Sequence, residues 1–476
     1  MIRNSLRNIC IIFLLSSVIS YSIAFAEADT IFKEYNKTVV IVLTYNEKGE
    51  PIAQGSGFIV RADGAVVTNY HVISNAKDIK IKSGDKTLDV EGLIYTDKEN
   101  DLVILKVKGE NLPVVKLGDI EKTNVGEKVY VISSPKGLEN TISDGILGGI
   151  REITPERKIL HITAPISPGS SGGPVFNKNG EVIGIATFSV EGAQNLNFAM
   201  PVNLIKDRIN IEKVTALKDA EIEDYKETAE YWFGLGYYLL EAGLNKESIE
   251  AFKQAIRIKP DYANAHYNLG VVYGKSVMYK ESIEAFKQAI RIKPDDAEAH
   301  LGLGVAYGEL GMYKEAVEAF KQAIMIKPDY ADAHYGLGTI YGKSGMYTKA
   351  IEAFKQAIII KPDYADAHYN LGTIYGKSGM YTKAIEAFKQ AIMIKPDLAE
   401  AHMSLGLAYA SLGMYKEAIE ALKQTIRIKP DDADAHYLLG LAYFYIGNKG
   451  MALEEYKILK DLDPELAEKL FNEIYK

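Results

Sequence analysis

Residues 364–397 read YADAHYNLGTIYGKSGMYTKAIEAFKQAIMIKPD, and this 34-residue unit recurs from Ala229 to about Leu466. Pro260, Pro294, Pro328, Pro362, Pro396, Pro430 and Pro464 stand 34 residues apart. The same register carries Gly236, Gly270, Gly304, Gly338, Gly372, Gly406 and Gly440. It also carries Phe252, Phe286, Phe320, Phe354 and Phe388, then Leu422 and Tyr456. A pair of packed helices accounts for all three positions. Glycine lets the two helices approach, the aromatic ring fills the space beyond the crossing, and proline stops the second helix because it has no N–H for the next helical hydrogen bond.

A period of 34 with small residues in a first helix, an aromatic in a second and a closing proline resembles the tetratricopeptide repeat family, over seven units. The resemblance implies an all-α superhelical solenoid whose first helices line a concave groove for a protein partner. Tyr267, Tyr335, Tyr369 and Tyr437 recur at a position that points into the groove in this family, and Lys275, Lys343 and Lys377 recur at another. Tyrosines offer rigid contact area with a polar tip. Residues 204–228 read as a connecting helix or linker, 229–466 as the seven repeats and 467–476 as a capping helix.

Six of the eight histidines, His266, His300, His334, His368, His402 and His436, fall at one repeat position, where the first unit has Trp232. One imidazole per 34 residues, on separate helix pairs, reads as packing between helices, with no metal site. His71 and His161 are the histidines left over.

Residues from about Asp29 to Asn203 follow a different grammar. Short runs rich in β-branched residues, Val39 to Thr44, Phe58 to Val60, Ala65 to Thr68, Leu102 to Val107, Lys128 to Ile132 and Val182 to Thr187, are separated by turn residues such as Asp63-Gly64. Strands at this spacing without intervening helical patterns predict an antiparallel barrel or sandwich.

Ser171 lies in Pro168-Gly169-Ser170-Ser171-Gly172-Gly173-Pro174. A serine hydroxyl needs a base to become a nucleophile, and the oxyanion it creates needs backbone donors that glycines can turn inward. The oxyanion hole falls on Gly169, Ser170 and Ser171, with the N–H groups of Gly169 and Ser171 as donors. His71 ends an apolar strand as the candidate base, and Asp101 starts one as its orienting acid, with Asp97 and Glu99 as rival carboxylates. His161 reads as an outward strand residue. The order His, Asp, Ser is that of chymotrypsin-type barrels, not of subtilisins or α/β-hydrolases.

Gly55-Ser56-Gly57-Phe58, Thr68-Asn69-Tyr70-His71-Val72, Asn100-Asp101-Leu102-Val103-Ile104-Leu105 and Gly169-Ser170-Ser171-Gly172-Gly173-Pro174 resemble the Deg/HtrA branch of the trypsin-like serine proteases in order and spacing. The resemblance implies an all-β chymotrypsin-like double β-barrel over residues 27–203, a triad of His71, Asp101 and Ser171 in the cleft between barrels, and endoproteolysis without a cofactor. It frames the pocket for the residue before the scissile bond with Ile166 to Pro168, Ala186, Thr187 and Phe188, and Asn197 to Ala199. No acidic residue stands there, which favours a small or medium aliphatic side chain. Ser170 replaces the usual Asn, and the repeats stand where a PDZ module usually follows. The branch trimerises through N-terminal aromatics that do not map here, so a homo-oligomer stays open.

The chain has 476 residues, 47% hydrophobic and 25% charged, with a formal charge of −8. These values suit a multidomain globular protein and argue against nucleic-acid binding. Arg3 and Arg7, the apolar run Ile9 to Ser20 and the small-x-small Ala24-Phe25-Ala26 read as a signal peptide over residues 1–26, giving a periplasmic or extracellular protein. The alternative is an uncleaved segment that anchors the chain in the membrane. Cys10, the single cysteine, lies inside this segment, so no disulfide is available to the exported chain. The reading is an exported serine endopeptidase that cleaves protein or peptide substrates, with repeats that recruit a substrate or partner. Its rival is a repeat scaffold carrying an inactive or ligand-gated protease-like domain.

Overall fold

The computed structural model describes residues 27–135, 140–154, 157–189 and 197–475, so the expected signal segment lies outside the described residues. Two compact units divide the chain, Met1–Asn268 and Leu269–Lys476.

The first unit opens with a helix, α1 (27–35), and then forms two barrels. Strands β1 (Val39–Tyr45), β2 (Pro51–Arg61), β3 (Ala65–Asn69), β4 (Asp78–Ser83), β5 (Lys86–Asp97) and β6 (Leu102–Val107) build the first. Their hydrogen-bonded order, β5-β4-β1-β2-β3-β6, closes on itself through β5–β6 into a six-stranded antiparallel barrel. Alternation decides which side chains point inward: Val40 and Val42 meet Ile59, Val66, Ile79, Ile81, Val103 and Leu105 in one buried cluster. The short helix α2 (Tyr70–Ile73) follows β3 directly.

The second barrel uses β7 (Lys116–Leu117), β8 (Lys128–Ser133), β9 (Thr141–Thr154), β10 (Arg157–Ile162), β11 (Pro174–Asn177), β12 (Glu181–Ser189) and β13 (Asn197–Pro201). The order β11-β8-β9-β10-β13-β12 closes through β11–β12 into another six-stranded barrel, and β7 adds in parallel beside β12. Val129, Val131, Leu147, Leu160, Ile162, Val175 and Ile183 fill it.

Residues 204–228, expected as a connecting helix or linker, form no continuous helix. A four-residue helix α3 (Asn203–Lys206) is followed by the two-residue strand β14 (Thr215–Ala216) and by 3-10 turns at Leu217–Asp219 and Tyr225–Glu227. The barrel takes this segment as an added edge: β14 pairs antiparallel with β5, opposite Gly92, where a Cβ would lie 2.1 Å from the Thr215 carbonyl oxygen. Further on, Tyr225 is drawn into the core cluster of the first barrel. Tertiary pairing and aromatic burial override a helical tendency that is weak in any short segment.

Beyond Thr228 the chain runs as helix pairs. They are α4 (Ala229–Glu241) with α5 (Asn245–Ile258), α6 (Ala263–Lys275) with α7 (Tyr279–Ile292), α8 (Ala297–Glu309) with α9 (Tyr313–Ile326), and α10 (Ala331–Lys343) with α11 (Tyr347–Ile360). Then come α12 (Ala365–Lys377) with α13 (Tyr381–Ile394), α14 (Ala399–Ser411) with α15 (Tyr415–Ile428), and α16 (Ala433–Tyr445) with α17 (Lys449–Leu462). The final α18 (Pro464–Tyr475) buries Leu470 and Ile474 in one cluster with Leu439 and Leu459. The glycine–aromatic expectation has a direct geometric counterpart. A Cβ on Gly304 would sit 2.8 Å from the Phe320 ring, and one on Gly338 equally close to Phe354. Phe320 is clasped from both sides, since a Cβ on Gly336 of the next pair would come within 2.6 Å of it. The recurring histidines serve the turns: Nε2 of His300, His334, His368 and His402 donates to the carbonyl of the proline six residues earlier, at 3.0–3.1 Å.

One turn breaks the pattern. Gly243, Gly311, Gly345, Gly379, Gly413 and Gly447 end the first helices in left-handed backbone with φ between 73° and 81°, and Val277 holds the equivalent place at φ 61°. A β-branched residue is strained there. Val277 is 69% exposed, so its side chain contributes little burial to offset the strain. Val277→Gly is expected to stabilise the array by about 0.5–1 kcal/mol, the relief of strain exceeding the extra unfolded-state entropy of glycine. A urea titration followed by circular dichroism reads this as a raised midpoint.

Candidate active site

β3 and β6 pair with Asn69 opposite Leu102, so the residues just past the end of one strand and just before the start of the other are neighbours. That register brings His71, in the first turn of α2, against Asp101. Asp101 has φ 53°, unusual for a residue with a side chain, and its backbone is held by its neighbours. The Tyr70 N–H and the Asn69 side-chain amide both donate to its carbonyl, at 3.0 and 2.9 Å.

The Asp101 carboxylate is buried and accepts three hydrogen bonds. The His71 backbone N–H donates to Oδ1 at 2.9 Å; His71 Nδ1 and the Thr187 hydroxyl donate to Oδ2 at 2.6 and 2.8 Å. Placing the proton on Nδ1 leaves Nε2 with a free lone pair, the state a general base needs. The His71 side chain keeps 33% exposure and so can meet a substrate. Neither rival carboxylate takes this place: Asp97 receives the Asn100 backbone and side-chain N–H groups, and Glu99 is exposed. His161 lies on β10, its ring 6.1 Å from that of Phe198.

Ser171 sits in the loop between β10 and β11, and a residue of the other barrel fixes that loop. The Ser56 N–H donates to the Ser171 carbonyl at 2.8 Å, and the Ser56 hydroxyl donates to the Gly169 carbonyl at 2.7 Å. The same hydroxyl accepts from the Ser134 N–H at 2.8 Å. Gly172, at φ 86°, must be glycine for space as well, because a Cβ would stand 2.1 Å from the Ser56 carbonyl oxygen. Sequence reasoning quoted Ser56 only as part of a motif; its role is legible only once the barrels are packed.

The structure adds to two sequence expectations here. Ser170, expected at the oxyanion hole beside the donors Gly169 and Ser171, gives its own N–H to the Ser167 carbonyl at 2.8 Å. Among the described residues the N–H groups of Gly169 and Ser171 have no acceptor, and Gly169 has φ 100°. Ala186 does not line a pocket: it is fully buried in the core of the second barrel. Thr187 does reach the cleft, but its hydroxyl is committed to Asp101. The side chain of Phe188 lies outside the described residues. Ile166, Pro168, His71, Asp101 and Ser171 share one cleft of about 650 Å³. The Ser171 hydroxyl donates to the Thr187 carbonyl at 3.2 Å.

The repeat positions singled out as a groove are packing residues first. Tyr267, Tyr335, Tyr369 and Tyr437 are half-buried. The Tyr335 ring stacks on Tyr364 at 5.0 Å and its hydroxyl receives the Asn370 amide at 2.8 Å, while Tyr369 lies 5.8 Å from Phe388. Lys275, Lys343 and Lys377 are exposed, and Lys343 pairs with Glu309 at 3.8 Å.

Comparison with known proteins agrees with this division. Residues 55–185 match the trypsin-like peptidase domain. The TPR repeat model matches residues 236–277, 278–311, 307–345, 340–379 and 406–447, and tetratricopeptide repeat models match 365–398 and 433–466. A Pseudomonas putida protein named "Probable periplasmic serine endoprotease DegP-like" is 41% identical over 162 residues, 33% of this chain and 34% of that one. One of the same name from Hahella chejuensis is 34% identical over 216 residues, 44% of this chain and 43% of its own length. The chain thus spans about a third of the first of these relatives. The crystal structure of the serine endoprotease from Yersinia pestis is 31% identical, with a TM-score of 0.35, over 38% of this chain and 64% of that one. The chain therefore joins a trypsin-like peptidase domain, similar to that of DegP-like endoproteases, to an array of tetratricopeptide repeats.

Proposed function

We propose that the chain is an exported serine endopeptidase that hydrolyses peptide bonds of unfolded proteins, and that its repeats recruit substrate or partner proteins. The observation that carries this reading is the Asp101–His71 pair at 2.6 Å sharing one cleft with Ser171. In the reaction the Ser171 hydroxyl attacks the scissile carbonyl carbon and gives its proton to His71 Nε2. Asp101 holds the imidazole in the Nδ1–H tautomer and stabilises the imidazolium. The Gly169 and Ser171 N–H groups receive the oxyanion. His71 then passes its proton to the leaving amine, and water, deprotonated by the same imidazole, releases the acyl group. Export is supported by the Arg3 and Arg7 start, the apolar run that follows and the periplasmic name of the relatives. The exposed lysines and half-buried tyrosines of the repeats suit an acidic or C-terminal peptide segment.

Casein digestion by the mature chain, compared with Ser171→Ala, tests the reading. The first is expected to cut and the second not; cutting by both would assign the activity elsewhere. Asp101→Asn keeps the packing but no longer selects the Nδ1–H tautomer, and kcat is expected to fall roughly 10⁴-fold with KM nearly unchanged. Steady-state kinetics on a casein-derived peptide reads both constants.

A further inference from the structure

The cleft that holds His71 and Ser171 is not built from the barrels alone. Tyr231, Gly234, Leu235 and Tyr238 line it, and all four belong to α4, the first helix of the first repeat. Their spacing places them on one helical face. A separate face of α4 serves the repeat itself: Phe233 packs 5.9 Å from Phe252 of α5, and a Cβ on Gly236 would meet the Phe252 ring at 2.7 Å.

Two of the cleft-facing residues, Tyr231 and Tyr238, depart from the repeat, whereas Leu235 is the leucine that later units also carry, as Leu269, Leu303 and Leu337. Where α4 has Tyr231, later units have Ala265, Ala299, Ala333, Ala367, Ala401 and Ala435, each with no exposure. Where it has Tyr238, they have Val272, Ala306, Ile340, Ile374, Ala408 and Ala442. Small or aliphatic residues are replaced by aromatics on the face turned to the peptidase. Tyr238 stacks on Phe198 of β13 at 5.0 Å and is 6% exposed. The Tyr237 hydroxyl donates to the Glu152 carbonyl at 3.3 Å, and Arg151 pairs with Glu241 at 3.3 Å. Tyr231 packs edge-on against Tyr225, and Tyr225 against Tyr70, each at 5.6 Å, so the contact reaches the residue beside His71. Burial pushes the hydroxyls of Tyr70 and Tyr231 above the usual phenol pKa.

We propose that α4 is a substrate-contacting wall of the peptidase cleft, with Tyr231 and Leu235 as specificity-determining side chains for an apolar residue of the substrate and Tyr238 as the anchor that holds the wall. A docked cap with no further role would leave no room. Here about 650 Å³ stays open between the helix and the triad, and Tyr231 and Leu235 remain only partly buried at its edge. A space of that size accepts a few side chains. The wall offers them aromatic and aliphatic surface and no charge from Tyr231, Leu235 or Tyr238.

The inference rests on the peptidase reading, and the test separates the two. The full chain and its Leu235→Glu and Leu235→Lys variants digest a proteome-derived peptide library, with cleavage positions read by mass spectrometry. Wild type is expected to favour an apolar residue at one position within about three residues of the bond cut. There, Leu235→Glu is expected to gain preference for Lys and Arg, and Leu235→Lys for Asp and Glu, by about fivefold each, the size of a partly exposed charge pair. Circular dichroism of each variant controls for folding. Unchanged preferences in both charge variants, with wild type cutting, would overturn the wall and leave the peptidase intact. A faster Tyr238→Ala with an unchanged preference would also overturn it, marking α4 as a plug. No cutting by wild type would remove both readings.

Discussion

A carboxylate held away from water must be met by donors, and the Asp101 carboxylate, on a residue 6% exposed, organises the peptidase part of the chain around that need. Its donors come from two places: the turn of α2 supplies the His71 backbone and ring, and β12 of the other barrel supplies the Thr187 hydroxyl. The left-handed backbone at φ 53° costs about 1–2 kcal/mol. Each hydrogen bond to a carboxylate is worth about 1.5–3 kcal/mol, so three of them outweigh the strain. The strain in turn aims the Asp101 carbonyl at Tyr70 N–H and the Asn69 amide, which locks the start of α2. The position of the imidazole thus follows from satisfying one buried charge.

The second constraint runs the other way across the barrels. Ser56 belongs to the first barrel, yet its N–H and hydroxyl hold the carbonyls of Ser171 and Gly169 in the second. His71 and Ser171 are therefore positioned by reciprocal ties, Thr187 reaching from the second barrel to Asp101 and Ser56 from the first to the Ser171 loop. Neither barrel could carry the arrangement alone. The ties are short and buried, which suits a site whose donors must be in place before a substrate arrives.

Much of this was legible in the residues. The period of 34, its glycines and its aromatic rings specify helix pairs because each position answers a local steric demand, such as the Gly338 approach to Phe354. The order His71, Asp101, Ser171 specifies the barrel type because the register of β3 and β6 is what joins the first two. The linker misled because its structure is not local: β14 exists only as an edge to β5, and Tyr225 is buried only by the barrel beside it. The choice of Gly169 and Ser171 over Ser170 as amide donors was made in sequence, and the fold adds that the Ser170 amide is spent on Ser167. Ala186 and Thr187 stand side by side on β12, where alternation sends one methyl into the core and one hydroxyl to Asp101.

The same distinction between local period and shared burial bears on where the peptidase ends. The repeat period starts at Ala229, but the first compact unit runs to Asn268. Repetition marks units that are copied, and burial marks units that hold together. A first repeat has no earlier repeat to cover the face that Ala299 or Ala333 presents in later units, and an exposed apolar face is costly. Capping repeats commonly solve this with polar residues. Here the solution is aromatic: Tyr231 and Tyr238 cover the face and are themselves covered by Tyr225 and Phe198. The first helix of the repeat pattern thereby lines the cleft that holds His71 and Ser171.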